Sequence, residues 1–150
     1  MRARDLAKPF ATVSLEADVL TAARLMAAEG APGLIVCGAD ERPYTVLPGS
    51  QVLNFLIPRY VQDQPALARA FSERAWDDLR DRLVSHTVRD LLPRPADIDE
   101  LPIVDQDATT LEVAAVMARM HSPLVAVVDG HDRVLGAITV SRLLTHLLAS

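Results

Sequence analysis

The chain is poor in aromatic residues, with one Trp, two Tyr and three Phe among 150 residues. Its core must therefore be assembled from Ala, Val, Leu and Ile, in keeping with a composition that is 50% hydrophobic. Cysteine occurs once, as Cys37 in the apolar run Gly33-Leu34-Ile35-Val36-Cys37, so no internal disulfide can form. The expected role of that thiol is a small buried hydrophobe in a strand. No apolar run approaches the roughly 20 residues of a membrane-spanning helix. The start, MRARDLAKPF, has no apolar stretch of signal-peptide length, so a cytoplasmic protein without membrane insertion is expected. Cationic excess is missing too: 15 Lys+Arg against 20 Asp+Glu leave a net charge of −5, the wrong balance for a nucleic-acid partner. Acids instead gather in one stretch, where Asp97, Asp99, Glu100, Asp105, Asp107 and Glu112 come without an intervening Lys or Arg.

Catalytic and metal-binding patterns are also missing. His86, His121, His131 and His146 show no metal-ligand spacing, and His131 in Asp129-Gly130-His131-Asp132 reads as part of a hairpin turn. The sequence holds no nucleophile elbow, Gly-rich phosphate loop or Ser/His/Asp arrangement. Asp77-Asp78, among Arg74, Arg80 and Arg82, reads as a solvated salt-bridged face. An enzyme is not expected.

What the chain does contain is a repeat. An offset of 91 aligns Val13–Leu53 with Val104–Leu144 without a gap and with 11 identities, among them Pro32 with Pro123 and Ser50 with Ser141. Arg4-Asp5-Leu6 echoes Arg89-Asp90-Leu91 at an offset of 85. The spacing predicts one unit twice, in the order strand, helix, strand, strand, helix. In the second copy Thr109-Thr110-Leu111-Glu112 is a capping-box pattern opening a helix to about Met120, which Pro123 ends. Strands follow over Leu124–Val128 and Val134–Thr139, and Ser141 is the expected cap of a last helix, Arg142–Leu148. In the first copy Asp18 caps a helix to about Glu29, strands cover Leu34–Cys37 and Tyr44–Leu47, and a helix starts near Ser50, with Pro48-Gly49 predicting a turn before it. This is an α/β (α+β) chain, and each copy alone would leave one sheet face uncovered. The expected division is repeat 1 at 1–57, a helical insertion at 58–87 and repeat 2 at 88–150, the repeats packed face to face as one module.

In the insertion, Leu67, Phe71, Ala75, Leu79 and Leu83 recur every four residues beside Trp76, predicting one amphipathic helix. Its apolar stripe suits packing on the module's core; a dimer or partner surface is the other reading.

Paired units of this order, ending in Gly-h-h-Thr-x-Ser-x-Leu-Leu (h for apolar), resemble the cystathionine-β-synthase (CBS) domain. The string DATTLEVAAVMARMHSPLVAVVDGHDRVLGAITVSRLL is similar to a full CBS repeat, and the resemblance covers nearly the whole chain except roughly 58–87. It implies a tandem CBS pair, or Bateman module: non-catalytic, homodimeric and regulatory. It also implies an adenosine-containing ligand (AMP, ADP, ATP or S-adenosylmethionine) in a cleft between the repeats and an unnamed target regulated in trans. By that resemblance Thr139 and Ser141 take the motif's ligand-binding hydroxyl positions, while Arg142 stands where the family has an Asp for the ribose hydroxyls. Ile103, Val104 and Pro123 are expected to line the cleft. In the first copy only Ser50 of the motif survives, beside Thr45, Pro48 and Gln51 in place of its Gly, hydroxyl and Asp. The alternative function is a ligand-independent dimerisation or interaction module with degenerate sites.

Arg142 admits three readings: a contact to nucleotide phosphates, an ion pair with Asp105 or Asp107, or a solvated helix residue. An arginine carries donors only and cannot replace an acid as acceptor for a diol.

Overall fold

The computed structural model describes residues 1–93 and 101–149. Asp97, Asp99 and Glu100 of the acidic stretch lie outside them. Repeat 1 comprises β1 (Thr12–Ser14), α2 (Val19–Glu29), β2 (Gly33–Cys37), β3 (Pro43–Pro48) and α3 (Gly49–Leu56), preceded by a short lead-in helix α1 (Ala3–Leu6). The insertion holds α4 (Arg59–Asp63), a 3-10 segment (Pro65–Ala70) and α5 (Arg74–Ser85). Repeat 2 follows with lead-in helix α6 (Val88–Leu91), β4 (Ile103–Asp105), α7 (Thr110–Met120), β5 (Leu124–Val128), β6 (Val134–Thr139) and α8 (Val140–Leu148).

The repeat predicted from sequence is preserved to the level of strand register. β2 runs parallel to β1 and antiparallel to β3, pairing Val13 with Val36 and Gly33 with Pro48. β5 does the same between β4 and β6, pairing Val104 with Val127 and Leu124 with Thr139. Even the register shift recurs, at Val36/Cys37 and at Val127/Val128. Each central strand is covered on both faces, which is why both read as unbroken apolar runs. Leu34 and Val36 face the helices of their own repeat, as Val125 and Val127 do in the other. Between the sheets, Ile35 and Val46 meet Leu124, Ala126 and Ala137 in a third apolar layer.

The lead-in helices exchange partners. Ala3 and Leu6 of α1 belong to the core of repeat 2, and Val88 and Leu91 of α6 to the core of repeat 1. The Ala3 and Arg4 amides donate to the Ala108 and Gln106 carbonyls (2.8 and 3.0 Å), while Val88 and Arg89 donate to Ala17 and Leu15 (2.9 and 3.0 Å). Arg4 pairs with Asp107 and, at the matching place, Arg89 with Glu16. Exposed pairs of this kind fix register more than they add stability.

Asp18 caps α2 by accepting from the Thr21 amide at 2.7 Å, and Thr109 caps α7 through Glu112 at 3.2 Å, with the capping box formed. Both helices end in a left-handed residue, Gly30 (φ 59°) and His121 (φ 52°), so α7 stops two residues before Pro123.

Three expectations are corrected. The insertion is not one helix: Phe71 is extended (ψ 138°) and separates the 3-10 segment from α5. Apolar residues spaced strictly by four rotate about 40° per step around a helix with 3.6 residues per turn, so a five-member stripe cannot keep one face. Leu79 and Leu83 accordingly pack on repeat 1, whereas Phe71 is exposed and Trp76 is 59% exposed. Pro48-Gly49 forms no separate turn. Pro48 (φ −69°, ψ 149°) ends the edge strand β3, and the Gly49 amide donates to the Pro32 carbonyl at 3.0 Å, as Val140 donates to Pro123 at 3.1 Å. The cap of α8 is Thr139 rather than Ser141, because the helix starts at Val140 and the Thr139 Oγ1 accepts from the Arg142 amide at 3.2 Å.

Candidate functional site

The corner where β6 becomes α8 borders a cavity of about 350 Å³ between the repeats. Thr139, Ser141 and Arg142 line it from repeat 2, Glu29–Pro32 close it from the α2–β2 corner of repeat 1, and the strap Lys8–Ala11 lies across it. The strap is pinned to both sheets. Lys8 exchanges two backbone hydrogen bonds with Ala137 (3.0 and 2.9 Å), and the Ala11 carbonyl accepts from Ile35 at 3.3 Å. Gly136 makes the first attachment possible: a Cβ there would lie 2.2 Å from the Lys8 carbonyl oxygen. This is the structural reason for the glycine of the Gly-h-h-Thr stretch.

The two hydroxyls are neighbours, with Thr139 Oγ1 and Ser141 Oγ 3.2 Å apart. Arg142 is half-buried, and its Nε donates to the Leu6 carbonyl at 3.1 Å. Of the three readings of Arg142, the ion pair with Asp105 or Asp107 is not made: Asp107 pairs with Arg4, and Asp105 accepts from the Asp107 amide at 2.8 Å. Repeat 1 repeats the arrangement with a neutral residue, Gln51, whose Nε2 donates to the Leu91 carbonyl at 3.0 Å. Both side chains reach the last residue of the lead-in helix docked on their own repeat, where the helix ends with unpaired carbonyls.

The remaining sequence candidates lie elsewhere. Val104 is in the helix-side core of repeat 2, and Ile103 packs against the layer between the sheets. Pro123 sits at the α7–β5 corner, its carbonyl bonded to Val140, and Ser50 is exposed at the start of α3. None of these four lines the cavity of Thr139. The proline that does is Pro32, the counterpart of Pro123 at an offset of 91. Packing the sheets face to face brings the motif of one repeat against the α2–β2 corner of the other. Lys8, Phe10 and Gly30–Pro32 are not visible from a single copy, and the internal alignment bears only on Gly30–Pro32, through the match of Pro32 with Pro123.

A wider cavity of about 830 Å³ opens near the hairpin ends, lined by Thr12, Ser14, Cys37, Asp40, Glu41 and Arg133 among others. Cys37 is half-buried there. Desolvation first, then the carboxylates of Glu41 and Asp40, push its thiol above the usual range, which favours the protonated form. Among the described residues no group of three or more His, Cys, Asp or Glu could hold a metal ion, and no helix is long and apolar enough to cross a membrane.

Two α/β repeats with swapped lead-in helices and a hydroxyl-lined cavity between them define a tandem pair of one small α/β domain. The CBS-domain family model matches residues 88–149. A CBS domain-containing protein of unknown function from Kribbella flavida is 48% identical, covering 100% of this chain and 99% of its own, with a TM-score of 0.81. The chain belongs to the CBS-domain family. Fold similarity extends to a CBS domain-containing protein from Bacillus anthracis (15% identity, 100% and 94% coverage, TM-score 0.73). It extends also to CBSX2, solved in complex with AMP (16% identity, 99% and 96% coverage, TM-score 0.69). No curated protein matches the chain.

Proposed function

We propose that this CBS pair is a non-catalytic, cytoplasmic regulatory module that senses an adenosine-containing nucleotide in the cavity beside Thr139 and acts in trans on a separate target. One observation carries the reading: a cavity between the repeats brings two adjacent hydroxyls together with Arg142 and Lys8. Hydroxyls serve ribose and phosphate oxygens alike, and the cations compensate phosphate charge. The AMP complex of CBSX2 supports the ligand class. Thr139, Ser141 and Arg142 contact the ligand in this reading, and Pro32 takes the lining role expected of Pro123. Occupancy regulates only through differential affinity for two arrangements of the repeats. Thermal melting with AMP, ADP, ATP and S-adenosylmethionine tests it: a rise in Tm with at least one is expected, and no shift at millimolar concentration contradicts it.

Self-association belongs to the same proposal. Leu111, Leu144, Leu147 and Leu148 are exposed on α7 and α8, and a second copy would bury them. Light scattering should give a dimer, which Leu144→Glu returns to a monomer; a monomeric parent protein refutes it. The alternative, a ligand-independent interaction module, is favoured by the donors at both Asp positions, Arg142 and Gln51.

A further inference from the structure

Gln51 shows what the hydrogen bond to a lead-in helix requires. A neutral amide at 3.0 Å from Leu91 does in repeat 1 what Arg142 does at 3.1 Å from Leu6 in repeat 2. The charge of Arg142 and its Nη donors exceed that task. Among the described residues no carboxylate pairs with them, since Asp107 is engaged by Arg4. The charged groups lining the cavity are Lys8, Arg142 and the exposed Glu29, so cations outnumber the acid. A group meeting the guanidinium must be an acceptor, and a phosphate presents several charged oxygens to it.

We propose that Arg142 determines the specificity of this cavity for a phosphate-bearing ligand and couples the binding of that ligand to the docking of α1 on repeat 2. The inference rests on the cavity being a ligand site, and it deepens the reading above by naming the group that is read. The Nε end of the guanidinium holds the Leu6 carbonyl while the Nη end meets the anion. Binding therefore adds to the latch instead of replacing it. An anion that fixes the guanidinium tightens α1, whose Ala3 and Arg4 amides donate to Ala108 and Gln106. By linkage, a well-docked α1 raises the affinity for the anion. The neutral Gln51 gives repeat 1 the same latch without the response.

The test is calorimetry with AMP, adenosine and inorganic pyrophosphate on the wild-type protein and on Arg142→Gln, which keeps a latch donor of the Gln51 kind. AMP and pyrophosphate should bind about tenfold more weakly to the variant, the loss expected for a charge-assisted contact, with adenosine unchanged. Amide exchange at Ala3 and Arg4 should slow on adding AMP or pyrophosphate to wild type and not to the variant. Equal AMP affinity in both proteins overturns this inference while leaving the nucleotide reading intact. Pyrophosphate binding that depends on Arg142, with no response to any adenosine compound, does the reverse; no binding by any probe overturns both. Should Arg142→Gln fail to fold, the salt dependence of wild type decides: AMP or pyrophosphate affinity must fall as salt rises, and a flat profile refutes the charge reading.

Discussion

In repeat 1 α5 covers part of the helical face, laying Leu79 and Leu83 against the core beside α2 and α3, while Leu53 of α3 stays 58% exposed. In repeat 2 the matching face, α7 and α8, leaves Leu111 at 78% and Leu148 at 81% exposed. The motif positions differ in the opposite sense. Repeat 2 keeps Gly136, Thr139 and Ser141, whereas repeat 1 has Thr45, Pro48 and Ser50 there, and Pro48 offers no hydroxyl. One copy thus carries a covering helix and only the serine of the motif, while the other carries both hydroxyls and a barer face. Duplicated folds can divide their labour in this way because strand register, set by the apolar pattern, is independent of what the helix starts and outer faces carry.

Six substitutions probe that contrast. The largest effect is expected at Leu124, which is fully buried between the sheets where its counterpart, Gly33, has no side chain to lose. Leu124→Ala should cost about 3 kcal/mol in urea unfolding through the cavity it leaves. Next comes Gly136→Ala, which drives a Cβ into the strap at Lys8 and should cost about 2 kcal/mol, whereas Thr45→Ala in repeat 1 should change stability by less than about 1 kcal/mol. Loss of the cover comes third. Leu79→Ala should destabilise by about 1 kcal/mol, and Trp76→Ala by no more than about 0.5 kcal/mol, since Trp76 stands out in solvent.

The smallest difference is in acid. The Thr21 amide, then its hydroxyl, holds the Asp18 carboxyl below its ordinary value of 3.8, whereas the matching cap Thr109 does not titrate. A depressed native pKa stabilises above the unfolded value and ceases to do so as pH falls through the folded one. Acid unfolding of wild type below about pH 4 should therefore show an Asp18 contribution that Asp18→Thr removes. Identical acid profiles would contradict it.

Much of this was legible in the sequence, and the reason is local. Asp18, Thr109 and Glu112 announce their helices by capping chemistry, and Leu34–Val36 and Leu124–Val128 announce central strands by length and branching. Arg142 was not legible, because its partner is the Leu6 carbonyl, 136 residues away and brought close only by the exchange of lead-in helices. Lys8 and Pro32 were hidden likewise: a cavity between two copies takes residues from both, while motif reasoning runs along one. Trp76 misled through composition, since an aromatic beside an apolar stripe suggests burial, whereas it is 59% exposed near the start of α5.

The proposed function makes the motif of repeat 2 a working ligand site and leaves repeat 1 without one. Titration calorimetry with AMP on wild type, Ser141→Ala and Ser50→Ala tests it most directly. One AMP per chain is expected, bound at least about tenfold more weakly by Ser141→Ala and unaffected by Ser50→Ala. Two equal sites per chain, or equal sensitivity to both substitutions, would contradict it.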